Sequence, residues 1–450
     1  MASTYLTWQN STATNSTKFT MSGWVKRGNL NSSSYNCIMS CRQTSSSNAM
    51  GLWFGEDKVF FNFGTSASAS TTGFDTSAKV RDVNGWYHIV VAGDASQSGT
   101  DKLKVWINGT QQTSFVTDNR SSFATLEYDF GNTSYPIQVG RKHDGTFYWD
   151  GSMSHIHFVD GTAYQASDFG LTDSTTGEWK INTSPSVTYG NNGFFILKDG
   201  NSGTDQSGEG NNFTVGGGTL TKTEDNPSNV FATMNPLNKS LNTDRSFANG
   251  NTYVVLGGTA RVPEVSTLGM TSGKFYAEMK DISGSGGASI MGITGQMHRT
   301  SANDYLGSQS YDYAYYSASG AKINNGNEPS YGNSWTDGDI IGVAVDLDNL
   351  KIYFSKNGTW QNSGDPTSGS TGTGAAFTLS SPSSTDDGAY FFACSDDNAY
   401  AERRMAWNFG NGYFQTTAVS SAGTNASNNG IFEYDVPTGY TALSTKGLNL

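Results

Sequence analysis

Apolar and polar positions alternate with a period of two in segment after segment of this chain. Phe19-Thr20-Met21-Ser22-Gly23-Trp24-Val25 sets the pattern, which is what a pleated strand requires when one of its faces is buried. Residues 52–54 and 59–63 flank a charged turn at 55–58 and predict a hairpin. The run at 86–92 is almost wholly apolar and reads as a central strand. Residues 103–107 lead into Asn108-Gly109, a pair that tolerates the positive φ of a type I′ turn. Further strands are expected at 137–140, 153–158 and 194–197.

The second half has the same style. Residues 273–279 alternate, 290–293 form a buried run, and 339–347 meet 351–355 across a short polar turn, ending at Asn357-Gly358. Lys104-Val105-Trp106-Ile107-Asn108-Gly109-Thr110 is echoed by the segment from Lys351 to Asn357-Gly358-Thr359, which suggests one central hairpin used twice. No segment holds a 3.6-residue period for three turns. The expectation is an all-β chain of two tandem antiparallel β-sandwiches with a polar linker. The Gly- and Asn-rich stretch from 199 to 249 marks the break. Boundaries are placed at 1–222 for the first sandwich, 223–245 for the linker, 246–425 for the second sandwich and 426–450 for a C-terminal tail segment with an element of its own at 431–434.

Composition narrows the reading. Aromatics make up 13% of the 450 residues, too many for a disordered chain, and Ala, Leu, Glu and Lys are too scarce for a helical bundle. Charged residues are only 15% and the net charge is −12, so the surface is carried by Ser, Thr, Asn and Gly, and nucleic acid is excluded as the main partner. No stretch approaches the length of a membrane span. Cys37, Cys41 and Cys394 fit no zinc spacing and are expected as free, buried thiols. The start Met-Ala-Ser-Thr-Tyr shows no secretory signal.

Two families are resembled. Residues 19–26, Gly85-Trp86-Tyr87-His88-Ile89-Val90, the hairpin closing at Gly109, and Gly151-Ser152-Met153-Ser154-His155-Ile156 together look like a laminin G-like, concanavalin A-like jelly roll. Gly273-Lys274-Phe275-Tyr276-Ala277-Glu278, Gly338-Asp339-Ile340-Ile341-Gly342-Val343, Asp346-Leu347-Asp348 and the run from Ile352 to Gly358 resemble a SPRY sandwich. With the connecting pieces at 205–214, 231–237 and 432–443, the whole resembles tail-fibre or appendage proteins of marine bacteriophages. That resemblance implies a virion structural protein, made in the host cytoplasm without a signal peptide and carried on the particle exterior. Its partners would be other virion proteins and a host-surface polysaccharide or protein. By analogy with fibres it would be a homo-oligomer, a trimer being favoured. A decoration protein that binds no receptor is the alternative, and a glycan hydrolase a third.

Catalysis by paired carboxylates needs two acids on one strand face. Glu278 and Asp281 have the wrong spacing and Glu56-Asp57 lies in a turn, so these acids are expected to be solvated and the protein non-enzymatic. A calcium ion is the one cofactor considered, with Asp199, Asn201 and Asp205 offering oxygen ligands on a glycine-rich loop; an ordinary polar turn is the competing reading. His155 and His157 share a strand face but lack a third zinc ligand. Sugar recognition calls for exposed aromatic rings beside amides and carboxylates. Tyr305, Tyr311, Tyr313, Tyr315, Tyr331 and Trp335 are candidates in the second half, although the period of two equally fits Tyr311, Tyr313 and Tyr315 facing a core. His143, Asp144 and Trp149, beside Lys142, Phe147 and Tyr148, are candidates at a turn in the first half.

Overall fold

The computed structural model describes residues 3–30, 35–42, 50–64, 71–127, 129–198, 203–238, 241, 245–398 and 402–449. It is all-β, and its only helical pieces among the described residues are 3-10 turns of three or four residues, so no helix is long and apolar enough to cross a membrane. The chain divides into two compact units, Met1–Lys222 and Thr223–Leu450.

The first unit is a sandwich of two antiparallel sheets. The eight-stranded sheet runs in the order Phe115–Asp118, Thr71–Lys79, Lys58–Gly64, Met50–Gly55, Tyr35–Cys41, Pro136–Val139, Tyr5–Gln9 and Thr214–Gly217. The six-stranded sheet is Phe194–Ile196, Gly151–Asp160, Lys18–Arg27, Trp86–Asp94, Leu103–Ile107 and Thr110–Gln111. Alternate residues of both sheets meet in one core, where Phe19 lies 5.5 Å from both Phe61 and Phe123, and Phe63 lies 5.3 Å from Phe123. Each fully buried ring of this kind stabilises by about 2–3 kcal/mol.

The second unit repeats the plan. A nine-stranded sheet is centred on Lys274–Gly284, between Arg403–Asn408 and Ile340–Asp346, with Lys351–Lys356 next to the latter. A five-stranded sheet orders Glu264–Val265, Phe391–Asp396, Ser289–Thr294, Asp312–Tyr316 and Lys322–Ile323. Their inner faces close over Phe275, Met279, Met291, Val343, Phe354, Phe392 and Trp407.

The echoed hairpin is the same device in both units. Asn108 and Asn357 sit at φ 47° and 48°, and the glycines after them at 76° and 78°. Each asparagine exchanges two hydrogen bonds with the neighbouring strand. Asn108 N donates to the His88 carbonyl at 2.9 Å while His88 N donates to Asn108 Oδ1 at 2.8 Å. The Asn357 and Ile340 pair repeats this at 2.8 Å for both bonds. Each glycine also seats an aromatic ring: a Cβ on Gly109 would stand 2.4 Å from Trp179, and one on Gly358 would stand 2.6 Å from Tyr434.

Those rings belong to segments that cover the outer face of a sheet. In the first unit the stretch from 162 to 192 lays Ala166, Phe169, Trp179 and Tyr189 over Val90, Trp106, Val159 and Phe195. In the second, the C-terminal stretch lays Phe432, Val436 and Tyr440 over Tyr276, Ala344 and Tyr353, and Thr441–Ala442 pairs in parallel with the central strand. The expected tail element at 431–434 is thus irregular chain held by side chains.

The interval expected as a linker is also built in. Phe231, Ala232 and Met234 are buried within the second unit, because their apolar side chains have sheet to pack on, and Gly216-Gly217 close the edge of the first unit's larger sheet. All three cysteines are free and buried. The expectation of solvated acids fails for Glu278, Asp281 and Asp57, which are buried, and holds for Glu56. Asp281 faces Arg403 at 2.5 Å and Asp57 faces Arg27 at 2.9 Å. Glu278 instead holds the covering segment. It accepts the Glu433 and Tyr434 backbone N–H groups at 2.9 Å each, the Asn408 amide at 3.1 Å and the Tyr276 hydroxyl at 3.1 Å.

Burial pushes the Glu278 carboxyl up to about 7, against the bonds it accepts. The folded state then binds the proton more tightly than the unfolded chain, so this group's contribution is complete below about pH 4.5 and is lost as the pH rises through about 7. Unfolding free energies of the second unit from urea titrations between pH 4.5 and 7.5 should fall in the wild type and fall less in Glu278→Gln, by on the order of 1–3 kcal/mol. An unchanged slope would show that the carboxyl is ionised throughout.

Candidate functional site

The candidate aromatic residues of the second unit divide by sheet face. Tyr313 and Tyr315 lie on the strand Asp312–Tyr316 with their rings in the core, and Trp335 is buried with them. Tyr315 stacks on Phe354 at 5.4 Å and meets Tyr331 edge-on at 5.8 Å, while its hydroxyl donates to the Asn333 carbonyl. Tyr331 and Tyr311 are half-buried against the same cluster. A period of two carries Tyr313 and Tyr315 inward, and these two rings, with Trp335, are buried and cannot offer a face to a sugar. Tyr305 is different: it is half-buried on the opposite side of that sheet, beneath the Arg261 guanidinium at 5.2 Å.

Asp199 and Asn201 lie outside the described residues. Asp205, the third proposed calcium ligand, is already engaged. Its carboxylate accepts Phe195 N at 2.8 Å, Ser207 N at 2.9 Å, Ser207 Oγ at 2.7 Å and Asn211 N at 2.9 Å. A carboxylate bonded to this extent by its own loop acts as the acceptor of a polar turn. Among the described residues no group of three or more His, Cys, Asp or Glu is placed to hold a metal ion.

In the first unit the turn residues also separate. His143 and Trp149 are buried; Trp149 packs on Phe54 at 5.6 Å, and burial pushes the His143 imidazole down to about 4. They anchor the loop and are not contact residues, since the loop needs apolar weight to stay on the sheet. Asp144 is exposed and bridges Lys142 at 2.6 Å and the Thr146 hydroxyl at 2.5 Å. The loop is a continuation of the sheet. Lys142 N donates to the Thr146 carbonyl at 2.9 Å and Trp149 N to the Gly140 carbonyl at 2.8 Å. Cys37 N donates to the Phe147 carbonyl at 2.9 Å, and Ser40 Oγ to the Arg141 carbonyl at 2.9 Å.

This anchoring presents Phe147 and Tyr148 at the outer face of the eight-stranded sheet. Phe147 is 38% exposed and sits at φ 52°, a left-handed conformation that costs a bulky residue about 1–2 kcal/mol. Its ring is 5.0 Å from Tyr35, which meets Phe60 edge-on at 5.9 Å; both partners are half-buried. Lys142 lies 5.2 Å from the Phe147 ring and Lys58 lies 5.6 Å from the Phe60 ring. On the other side of the loop Tyr148 meets Tyr5 at 6.4 Å, with Arg141 over Tyr5. Aromatic rings, two ammonium groups, a guanidinium and the Asp144 carboxylate thus share one face. Tyr5, Tyr35, Phe60 and Arg141 escape a sequence reading because sheet order alone brings them together. The one signal for them is Val59-Phe60-Phe61, where an apolar residue stands at a position that alternation would make polar.

The outer face of the six-stranded sheet carries as many aromatics but is closed. His88 stacks on Trp24 at 4.8 Å, accepts the Trp179 indole N–H on Nδ1 at 3.0 Å and therefore donates from Nε2 to Ser22 Oγ at 2.8 Å. Burial pushes it down to about 3, so it stays neutral. His157 meets the Tyr189 hydroxyl at 2.9 Å and stacks on Phe195 at 4.0 Å. Residues of the covering segment occupy the space a ligand would use.

Comparison with known proteins agrees with this architecture. Residues 1–168 match the model of the concanavalin A-like lectin/glucanases superfamily, and residues 274–383 match the SPRY domain. The chain therefore carries a concanavalin A-like domain followed by a SPRY domain. No curated protein matches it. Among solved structures it is similar to the SPRY domain of human HERC1, at 18% identity over 37% of this chain and 92% of that one, with a TM-score of 0.28. Stonustoxin is similar at 16% identity over 39% of this chain and 27% of that one, with a TM-score of 0.28. An inferred carbohydrate-binding protein from Bacteroides ovatus is similar at 15% identity over 48% of this chain and 56% of that one, with a TM-score of 0.32.

The strain at Phe147 separates a functional ring from a structural one. In Phe147→Gly, release of the left-handed conformation, worth about 1 kcal/mol, offsets the lost contact with Tyr35. Calorimetry should find the first unit's melting temperature unchanged or slightly raised. A loss of about 3–5 kcal/mol, as for a buried phenylalanine, would mark the ring as structural.

Proposed function

We propose that this tandem of a concanavalin A-like and a SPRY domain is a non-catalytic binding protein that recognises a glycan through the outer face of its eight-stranded sheet. The observation that carries the reading is Phe147, an aromatic ring held exposed at a strained backbone position beside Tyr35 and Phe60. Strain of this kind persists where the surrounding structure imposes it, and it clusters at ligand contacts. An apolar ring flanked by Lys142, Asp144 and Tyr148 matches the two sides of a sugar, with its C–H face on the ring and its hydroxyls on the polar groups. Closure of the six-stranded face over His88 and His157 leaves no room for a substrate beside these histidines, and supports placing recognition on the other sheet.

The finer reading places this activity on a bacteriophage particle. Its support is the resemblance of the two domains and of the segments at 205–214, 231–237 and 432–443 to phage appendage proteins, together with a sparsely charged surface that resists indiscriminate adhesion. Several copies on one particle would convert weak single contacts into avid attachment to a host-surface polysaccharide.

The test is a glycan array probed with the full chain and with Phe147→Ala. Wild-type protein should bind a restricted set of glycans, and the variant should bind them at least about tenfold more weakly with its melting temperature kept. An empty array at every density would leave a decoration protein without a receptor. Sustained release of reducing sugar would make it a hydrolase. Immunogold labelling of purified particles with antibody to this chain tests the virion placement.

A further inference from the structure

Arg141 is the exception among the five arginines of the first unit. Arg27, Arg42, Arg81 and Arg120 each face an aspartate, at 2.9, 3.9, 3.1 and 2.8 Å. Arg141 faces no carboxylate at ion-pair distance among the described residues, and it is half-exposed. Yet its guanidinium is fixed on three sides by neutral groups. It lies 3.4 Å from the centre of the Tyr5 ring, its Nε donates to Gln138 Oε1 at 2.6 Å, and its Nη1 donates to the Tyr148 hydroxyl at 3.3 Å. Tyr5 is itself backed by the main chain, since a Cβ on Gly216 would stand 2.2 Å from its ring.

Ordering a free arginine side chain costs up to about 2 kcal/mol, and a cation–π stack plus one amide bond oppose that cost without neutralising the charge. What remains is a planar donor fork on a rigid support, with Nη2 and one Nη1 hydrogen unclaimed among the described residues. Two oxygens of a carboxylate or a sulfate ester fit such a fork. Asp144 does not compete, because Lys142 holds it at 2.6 Å. A net charge of −12 disfavours polyanions over the rest of the surface, so attraction has to be local.

We infer that Arg141, seated on Tyr5 and oriented by Gln138 and Tyr148, is a subsite for an anionic substituent, a carboxylate or a sulfate ester, on the glycan that the adjoining Phe147 face binds. The inference rests on the glycan-binding reading and narrows it to acidic polysaccharides. Tyr148, next to Phe147 in the chain, joins the two contacts.

The experiment measures binding of the full chain, Arg141→Gln, Arg141→Lys and Phe147→Ala to immobilised polygalacturonate, dextran sulfate and neutral dextran. Wild type should hold one of the anionic polymers about tenfold or more tightly than dextran, with an advantage that fades as salt rises. Arg141→Gln should erase that advantage and leave dextran unchanged. Arg141→Lys, a charge without the fork, should recover only part of it. Preference for polygalacturonate assigns a carboxylate, and preference for dextran sulfate a sulfate ester. Equal binding to all three polymers, or an equal loss on all three in both Arg141 variants, overturns the anionic subsite. If Phe147→Ala still abolishes binding in either case, glycan recognition stands without it. If wild type binds none of the three but a neutral glycan on the array, the subsite alone falls; if the array is also empty, both readings fall.

Discussion

A β-sheet that is apolar on both faces cannot leave one of them in water, and this constraint organises both halves of the molecule. The strand Trp86–Asp94 is buried along both faces, as is Ile340–Asp346, and each needs a second layer besides the opposing sheet. The chain supplies it from segments outside the two main sheets, residues 162–192 in the first unit, which include the short strand pair Gly170–Thr172 and Trp179–Ile181, and the C-terminal stretch in the second. Each cover is pinned at the same point, a type I′ turn whose glycine leaves room for one aromatic ring. Side chains larger than hydrogen at Gly109 or Gly358 would meet Trp179 or Tyr434 and meet the positive φ as well. The central hairpin and its cover are therefore one unit of design used in two sandwiches.

The cover brings polar atoms inside, where they must be satisfied. Main-chain N–H groups in a segment without strand partners need acceptors, and one buried carboxylate, Glu278, receives two of them. In the first unit the buried Asp160 accepts Asn192 N at 3.1 Å, and side chains of the cover are met by neutral groups. His88 bonds to an indole and a hydroxyl, and His157 to a phenol. Arg299–Asp312 at 2.7 Å and Arg403–Asp281 at 2.5 Å are buried ion pairs elsewhere in the second unit. Ion pairs of this kind add little net stability, but loss of one partner leaves a charge in a dry site, which costs several kcal/mol, so they fix how segments are placed.

The fold was legible in the chain because alternation reports on a single strand and turn chemistry on a single turn. Lys18–Arg27, Leu103–Ile107 with Asn108-Gly109, Lys274–Gly284 and the echoed hairpin all rest on such local signals. The packing of 223–245 was not legible: a few apolar residues such as Phe231 and Met234 stand there among Asn, Ser and Gly, and composition reads that as a linker. Glu278 looked solvated for the same reason, since the segment that buries it lies about 150 positions further along the chain. The candidate site was legible only in its loop. Asp144, Phe147 and Tyr148 are consecutive enough to notice, whereas Tyr5, Tyr35 and Arg141 meet because Tyr5–Gln9 and Tyr35–Cys41 flank Pro136–Val139. Tyr313, Tyr315 and Trp335 misled because a tyrosine-rich segment with a period of two serves a core as well as a rim, and burial of an aromatic ring outweighs exposure for recognition.

The same constraint decides where recognition can reside. A sandwich has two outer faces, and in the first unit one is spent on stability, its aromatics neutralised by a cover of aromatics. Among the described residues the eight-stranded face has no such covering segment; Cys37 and Trp53 are buried in it, yet it keeps Phe60, Tyr35 and Tyr5 half out of water. Unlike the covered face, it sets beside them polar groups that are themselves exposed or half-exposed: Asp144, Arg141 and Tyr148. Rings in that setting gain little from folding, because they remain wet, and one of them, Phe147, holds a strained backbone besides. Interactions that folding leaves incomplete are the ones a ligand can complete. That asymmetry between a finished face and an unfinished one, more than the presence of aromatics, is the physical ground for locating binding on the larger sheet.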